Sequence, residues 1–361
     1  MNSKKRVTIK QVAEESGVST QTVSRVLNDR PDVAPETRQR VREVITKLGY
    51  QPSQAARSLG RGLSYSLGVV AYGIEFFGPS RALSGIEYQA AELGYSPLLY
   101  LVREPESNDI TWIINDLLSR RADGIIWAVP EIGDNRDWIR NQTDGLPAPI
   151  VFLSMSPRQG LSTVCVDNYL GGQLATQHLI EQGYRHIGLI TGPMDWWEAR
   201  ERARGWQAAM AGVGLLESSP GETIAQPEVD LIVNGSWQAA AGEEGLNQLL
   251  SQRPDVEAIF VSNDQMALGA LQAAHQRGLR IPQDLAIVGF DSIPEAAYFW
   301  PPLTTVGQPL YDVGRTAVVE LDRLIKSERQ GDMMAECRTT ILQPELIIRE
   351  SSVNHQTAGD I

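Results

Sequence analysis

The chain has 361 residues, 42% hydrophobic and 21% charged, the balance of an ordinary globular protein with room for two or three compact domains. No apolar run approaches the ~20 residues needed to cross a bilayer, and the basic start MNSKKRVTIKQ has no apolar stretch behind it, so a cytoplasmic protein without a membrane partner is expected. Cys165 and Cys337 lie far apart and the four histidines are scattered, a spacing that offers neither a disulfide framework nor a metal cluster; no metal and no cofactor are expected.

The net charge of -12 is unevenly placed. Residues 1–62 carry 12 basic against 6 acidic side chains, a formal +6, which leaves -18 on the remainder. A basic head on an acidic body suits a head that meets a polyanion while the body does not.

The head begins with Thr8-Ile9-Lys10-Gln11, a capping box in which Thr8 accepts from the Gln11 backbone and the Gln11 side chain reaches back. The helix it opens turns Val12 and Ala13 inward and stops at Gly17, which can take the left-handed conformation. Ser19 is the next N-cap, and a second helix from Thr20 to about Asn28 buries Val23, Val26 and Leu27 at helical spacing. Two short helices around a glycine turn form a helix-turn-helix unit, whose second helix enters the major groove. Thr20, Gln21 and Arg25 occupy the outward half of that helix, where glutamine suits adenine and arginine suits guanine. Ser19, Thr22, Ser24 and Asn28 are short polar groups suited to phosphate oxygens. A solvated helix face accounts for the same residues about as well. A third helix follows, with Pro35 at its first position, an apolar stripe of Val41, Val44, Ile45 and Leu48, and Gly49 at its end.

Pro52 and Ser53 then introduce a helix of residues 54–59, too short to be stable alone in water. Leu59 at its end has no local partner; it suits a wedge between minor-groove base steps, and a plain linker accounts for it equally.

From residue 66 onward apolar runs alternate with amphipathic helices, for example around residues 80–93 and 109–120. The runs Ser66–Ala71, Pro97–Val102, Gly124–Val129 and Ile150–Met155 form one series. Ile187–Thr191, Leu231–Val233, Ile259–Ser262 and Leu285–Phe290 form a second. Such alternation predicts doubly wound parallel sheets. No G-x-G-x-x-G follows any of the strands, which disfavours a nucleotide-cofactor enzyme. There is neither a G-x-S-x-G elbow nor a zinc spacing, so no catalytic residue is nominated. Candidate ligand groups lie after strand C-termini, where open α/β sheets bind ligands: Phe76, Phe77, Ser80, Trp196, Arg200, Trp237, Asn263 and Asp291. Aromatic faces beside charged and amide groups suit a sugar, although a tryptophan is more often core, Arg200 suits a surface position and Asp291 suits a cap.

The stretch VTIKQVAEESGVSTQTVSRVLNDRPDVAPETRQRVREVITKLGYQPSQAARSL resembles the headpiece and hinge of the lactose-repressor (LacI/GalR) family of bacterial regulators, and the resemblance continues through the body, including VDNYLGG and SNDQMALG. It implies a small all-α helix-turn-helix headpiece over residues 1–50 and a hinge helix over 51–62 that forms on DNA. A two-lobed α/β core like periplasmic sugar-binding proteins follows over 63–361. One lobe spans about 63–164 plus 308–337, the other about 165–306 plus 338–352. By position, Thr20, Gln21 and Arg25 match base-reading residues of the family, Thr8, Ser19, Thr22, Ser24 and Asn28 its backbone contacts, and Leu59 its hinge leucine. Arg200, Trp237, Asn263, Asp291 and Gln308 match effector-contacting positions. The sequence departs from the lactose repressor at Thr20, Ala128, Ser154 and Trp196, where that protein has tyrosine, asparagine, aspartate and serine, which argues against a galactoside. The resemblance implies a homodimer that binds a pseudo-palindromic operator and a small-molecule effector, with a sugar inducer as the first reading and a corepressor, purine-type or protein, as the second. The tail RESSVNHQTAGDI has no leucine heptads, which points to a dimer rather than a coiled-coil tetramer. An enzyme built on the α/β body and a periplasmic transport receptor are the rival classes.

Overall fold

The computed structural model describes residues 7–27, 30–50, 64–105, 110–140, 148–216, 229–331 and 336–353. The expected hinge (51–62), with Leu59, and Asn28 lie outside the described residues.

Three helices make the head: α1 (Ile9–Ser16), α2 (Thr20–Leu27) and α3 (Pro35–Leu48). The capping box forms as the sequence requires: Thr8 N donates to Gln11 Oε1 at 2.8 Å and Gln11 N donates to Thr8 Oγ1 at 3.4 Å. Gly17 and Gly49 both take φ 64°, closing α1 and α3 in the left-handed region that suits glycine. Val12, Val23, Val26, Val41, Val44 and Tyr50 form a separate small core among the three helices.

The body contains two six-stranded sheets. The chain first lays down β1 (Ser66–Ala71), β2 (Ser96–Leu101), β3 (Gly124–Ala128), β4 (Ile150–Leu153) and β5 (Ser162–Val166). It crosses to a second lobe for β6 (Ile187–Thr191), β7 (Ile232–Asn234), β8 (Ala258–Val261), β9 (Ala286–Asp291) and β10 (Thr304–Gly307). It then returns to the first lobe for β11 (Thr339–Leu342) and ends in the second with β12 (Glu345–Ile347). The sheet orders are β11-β5-β4-β3-β1-β2 and β12-β10-β9-β8-β6-β7, and every pairing is parallel except β10 with β12. The doubly wound arrangement is therefore the one expected from alternating apolar runs and helices.

Two details differ from the sequence reading. The anticipated lobe boundaries placed 165–166 and 338–352 in the second lobe. However, β5 runs to Val166 and β11 pairs with it from Thr339↔Thr163 to Leu342↔Val166, so both strands belong to the first sheet. A polar pair of threonines opens β11 and its burial alternates, which hid it among the surrounding polar residues. The run at 97–102 also reads as a fully buried strand, yet β2 is an edge strand that leaves Leu99 and Leu101 exposed.

Among the described residues the body's helices are α4 (Phe77–Glu92), α5 (Ile110–Ser119), α6 (Asp137–Arg140), α7 (Asn168–Glu181), α8 (Trp197–Gly212), α9 (Ala239–Gln252), α10 (Asp264–Gln276) and α11 (Leu310–Arg329). Close helix crossings fix their positions through paired glycines. A Cβ on Gly172 of α7 would stand 2.2 Å from the Arg202 carbonyl, and one on Gly205 of α8 would stand 2.1 Å from the Tyr169 carbonyl. Only hydrogen fits at either point, so α7 and α8 approach backbone to backbone.

Candidate functional site

On the head, α2 turns Val23 and Val26 into the core and leaves Thr20, Gln21 and Arg25 exposed together on the opposite face. Ser19 Oγ accepts from Thr22 N at 3.1 Å and lies 3.0 Å from Thr22 Oγ1, so it caps the helix. Thr22 and Ser24 are partly covered. Arg25 lies 3.5 Å from Asp32, with both side chains about half exposed (49% and 52%), so its guanidinium is held near an acid yet open to solvent. A face of hydrogen-bonding groups on a helix braced by two others can reach base edges.

Between the two lobes is a cavity of about 410 Å³, the size that takes a drug-sized ligand. Phe76, Phe77, Trp196, Trp237, Asn263, Asp291 and Gln308 all line it, as do Ala128 and Ser154. Two expected residues do not. Ser80 is exposed on α4, three residues beyond the turn that brings Phe77 to the cavity. Arg200 donates to the carbonyls of Met194 and Asp195, at 3.2 and 2.7 Å, and is not among the lining residues. The arginine that faces the cavity is Arg202, because a step of two residues on an α-helix turns a side chain to nearly the opposite face.

Arg202 is 5% exposed, and its surroundings fix it firmly. Its Nε donates to Asn168 Oδ1 at 2.8 Å and its Nη1 to the Ser262 carbonyl at 2.5 Å. Asp291 Oδ1 lies 3.7 Å away, and the guanidinium covers the Phe290 ring at 3.8 Å from its centroid and the Trp237 ring at 5.3 Å. Gln308 Nε2 donates to Asp291 Oδ1 at 2.6 Å. Asn263 caps α10 by accepting from Met266 N at 2.9 Å, and its amide donates to the Trp237 carbonyl at 2.9 Å, which holds that tryptophan in place.

Aromatic rings continue the lining from Trp237. Trp196 stands 5.7 Å from Trp237 at 74° and 5.8 Å from Phe76 at 90°, edge to face in both pairs. Three of the lining residues hold positive φ, Ser154 at 50°, Trp237 at 68° and Asp291 at 107°, a conformation that costs non-glycine residues free energy and clusters at functional sites.

The cavity also has buried polar atoms without a protein partner: Glu198 Oε2, Gln265 Oε1 and Trp237 Nε1. Such atoms are expensive unless something bonds to them. Burial pushes the Glu198 carboxyl up to about 7, against the opposing pull of Arg202, a hydrogen bond from Ser154, and Arg136. Burial also raises Asp291 to about 6, again opposed by Arg202 and Gln308. At one edge the lobes are tied by backbone: Gly133 N donates to the Asp195 carbonyl at 2.8 Å and Trp197 N to the Glu131 carbonyl at 2.9 Å. Glu131 is in turn clamped by Ser156 N at 2.8 Å and Arg158 at 2.6 Å.

Sequence reasoning missed Asn168, Glu198, Arg202 and Gln265. For two of them a signal was present: Glu198 and Arg202 are four apart in WWEARERARGW, an opposite-charge pair on one helix face.

Comparison with known proteins gives two family matches. Residues 8–53 match "Bacterial regulatory proteins, lacI family", and residues 176–352 match a "Periplasmic binding protein-like domain". The chain is 34% identical over 354 residues to the HTH-type transcriptional repressor PurR of Aliivibrio fischeri (strain MJ11), covering 96% of this chain and 98% of that one. It is 32% identical over 357 residues to the lactose operon repressor of Escherichia coli (strain K12), covering 98% and 94%. Its fold is similar to the crystal structure of the lac repressor dimer bound to operator and the anti-inducer ONPF, with a TM-score of 0.81 and 29% identity over 97% of this chain and 100% of that one. These relatives are transcriptional repressors, not enzymes.

Proposed function

This chain belongs to the lacI family of bacterial regulatory proteins and is a DNA-binding transcriptional repressor, and on that premise we propose that it represses carbohydrate-utilisation genes and leaves its operator when a sugar enters the inter-lobe cavity. In this reading two chains pair, two heads meet the half-sites of a pseudo-palindrome, and Thr20, Gln21 and Arg25 read base edges. The ligand contacts are Phe76, Phe77, Trp196, Trp237, Arg202, Asn263, Asp291 and Gln308. The lactose operon repressor, similar over nearly the whole chain, supports the sugar class.

The observation that carries the proposal is the cavity itself: edge-to-face aromatic rings share it with unpartnered buried acceptors and a fixed arginine–aspartate pair. A pyranose presents both complements, an apolar face for the rings and hydroxyl donors for the acceptors. Linkage requires sugar and operator to weaken each other's binding equally, typically by ~1–3 kcal/mol. The identity to PurR favours a second reading, a purine-type corepressor with the opposite sign of response.

The test is anisotropy of a labelled operator duplex, obtained by selection from random DNA, titrated with the intact protein in the presence of neutral sugars and of purine bases. Release by a sugar is the expected result. Tightening by a purine base would favour the second reading.

A further inference from the structure

We infer that Glu198 sets the charge selectivity of the inter-lobe cavity, admitting neutral hydroxyl-bearing ligands and excluding their phosphorylated counterparts. The inference rests on the cavity's role as the effector site and narrows what it takes.

Glu198 is in the first turn of α8, next to the backbone bond from Trp197 N to the Glu131 carbonyl that ties the lobes at 2.9 Å. Its side chain therefore lines the cavity at the junction beside Ser154 of the first lobe, with the charges of Arg202 and Arg136 acting on it from the two lobes. One oxygen, Oε2, is buried with no protein donor, and Gln265 Oε1 in the same cavity is likewise an acceptor without a donor. A ligand hydroxyl supplies the missing proton donor; a phosphate at neutral pH supplies only further acceptors.

The remaining charges point the same way. Among the described residues, the charged groups lining the cavity are Glu75, Glu198 and Asp291 against a single cation, Arg202. That cation is already engaged by Asn168, by the Ser262 carbonyl and by Asp291, and it is stacked on Phe290. Among the described residues an incoming phosphate finds no free cation and would have to displace Asp291 to gain one. Asp291 and the ionised form of Glu198 would then face its charge across a site shielded from water.

The experiment is a tryptophan-fluorescence titration of the intact protein, since Trp196 and Trp237 line the cavity. The probes are neutral and phosphorylated partners: cellobiose and glucose against glucose 6-phosphate, and guanosine against guanosine 5′-monophosphate. Each is run on the parent protein, on Glu198→Gln, which keeps shape and loses charge, and on Glu198→Ser, with ligand-free melting curves to establish that the variants are folded. The expected result is binding of a neutral probe and not of its phosphorylated partner. The gap should narrow about tenfold in both variants, the scale of one charge-assisted hydrogen bond. A phosphorylated probe that binds the parent as tightly as its neutral partner overturns the inference. So does a gap unchanged in both folded variants, and so does silence from every neutral probe. If guanosine binds and no sugar does, the sugar reading fails while the charge rule is judged on the nucleoside pair alone.

Discussion

Gly192 lies so close under the indole of Trp237 that a Cβ at that position would stand 2.1 Å from Cη2. The glycine just past β6 thus makes room for the ring that walls the inter-lobe cavity, and Trp237 holds its place at φ 68° with the Asn263 amide on its carbonyl. Gly192→Ala is therefore expected to push the ring out of position, at an overpacking cost of about 1–3 kcal/mol. Ligand affinity should weaken about fivefold or more by that scale, while operator affinity without ligand stays at the parent level. A melting curve with and without ligand checks the first half, and anisotropy of a labelled operator duplex without ligand checks the second.

Asp291, at the end of β9, approaches Arg202, and Gln308, just past β10, bonds to Asp291. Asp291→Asn keeps the shape and removes the charge opposite a buried guanidinium. The expected outcome is a repressor that binds its operator normally and no longer responds to the effector, read by anisotropy with increasing ligand. Loss of folding instead would show that the pair supports the lobe rather than the ligand.

The raised carboxyls have a consequence for pH. In the folded chain Glu198 and Asp291 are lifted to about 7 and about 6, and burial with the neighbouring Asp291 raises Asp264 to about 8. The folded state then binds more protons than the unfolded chain, where these groups titrate near ~4. Their contribution is fully present below that value and is lost as pH rises through the folded values. Melting temperature is expected to fall from pH 5 toward pH 8. Glu198→Gln should flatten part of that slope, the part set by burial of its carboxyl.

On the head, Arg25 is open to solvent beside Asp32. Arg25→Ala is expected to cost about 1–3 kcal/mol of base discrimination, the range of one bidentate contact. Binding to unrelated duplex should change far less, and effector affinity should not move. Competition between operator and scrambled duplex measures the ratio.

The head was legible almost to the residue because its signals are local: Thr8 with Gln11, Gly17, Pro35 and Gly49 each act within one turn of the chain. The parallel sheets were legible because β1, β3, β4 and β6 are nearly uninterrupted apolar runs. β11 was not, since its alternating burial comes from lying at a sheet edge that the local sequence does not announce. The site was half legible. Residues just after strand ends reached the cavity as the topology requires, whereas on α8 the helical phase decides, and it favours Arg202 over Arg200.

The claim on which the rest depends is that α2 reads bases. Selection of random duplexes by the intact protein tests it most directly, with recovered sequences titrated against the intact chain and against one lacking residues 1–62. The expected result is a pseudo-palindrome bound by the intact chain ~10³-fold or more above unrelated DNA and not bound by the shortened one. Recovery of no common sequence, or equal binding by the shortened chain, would contradict it.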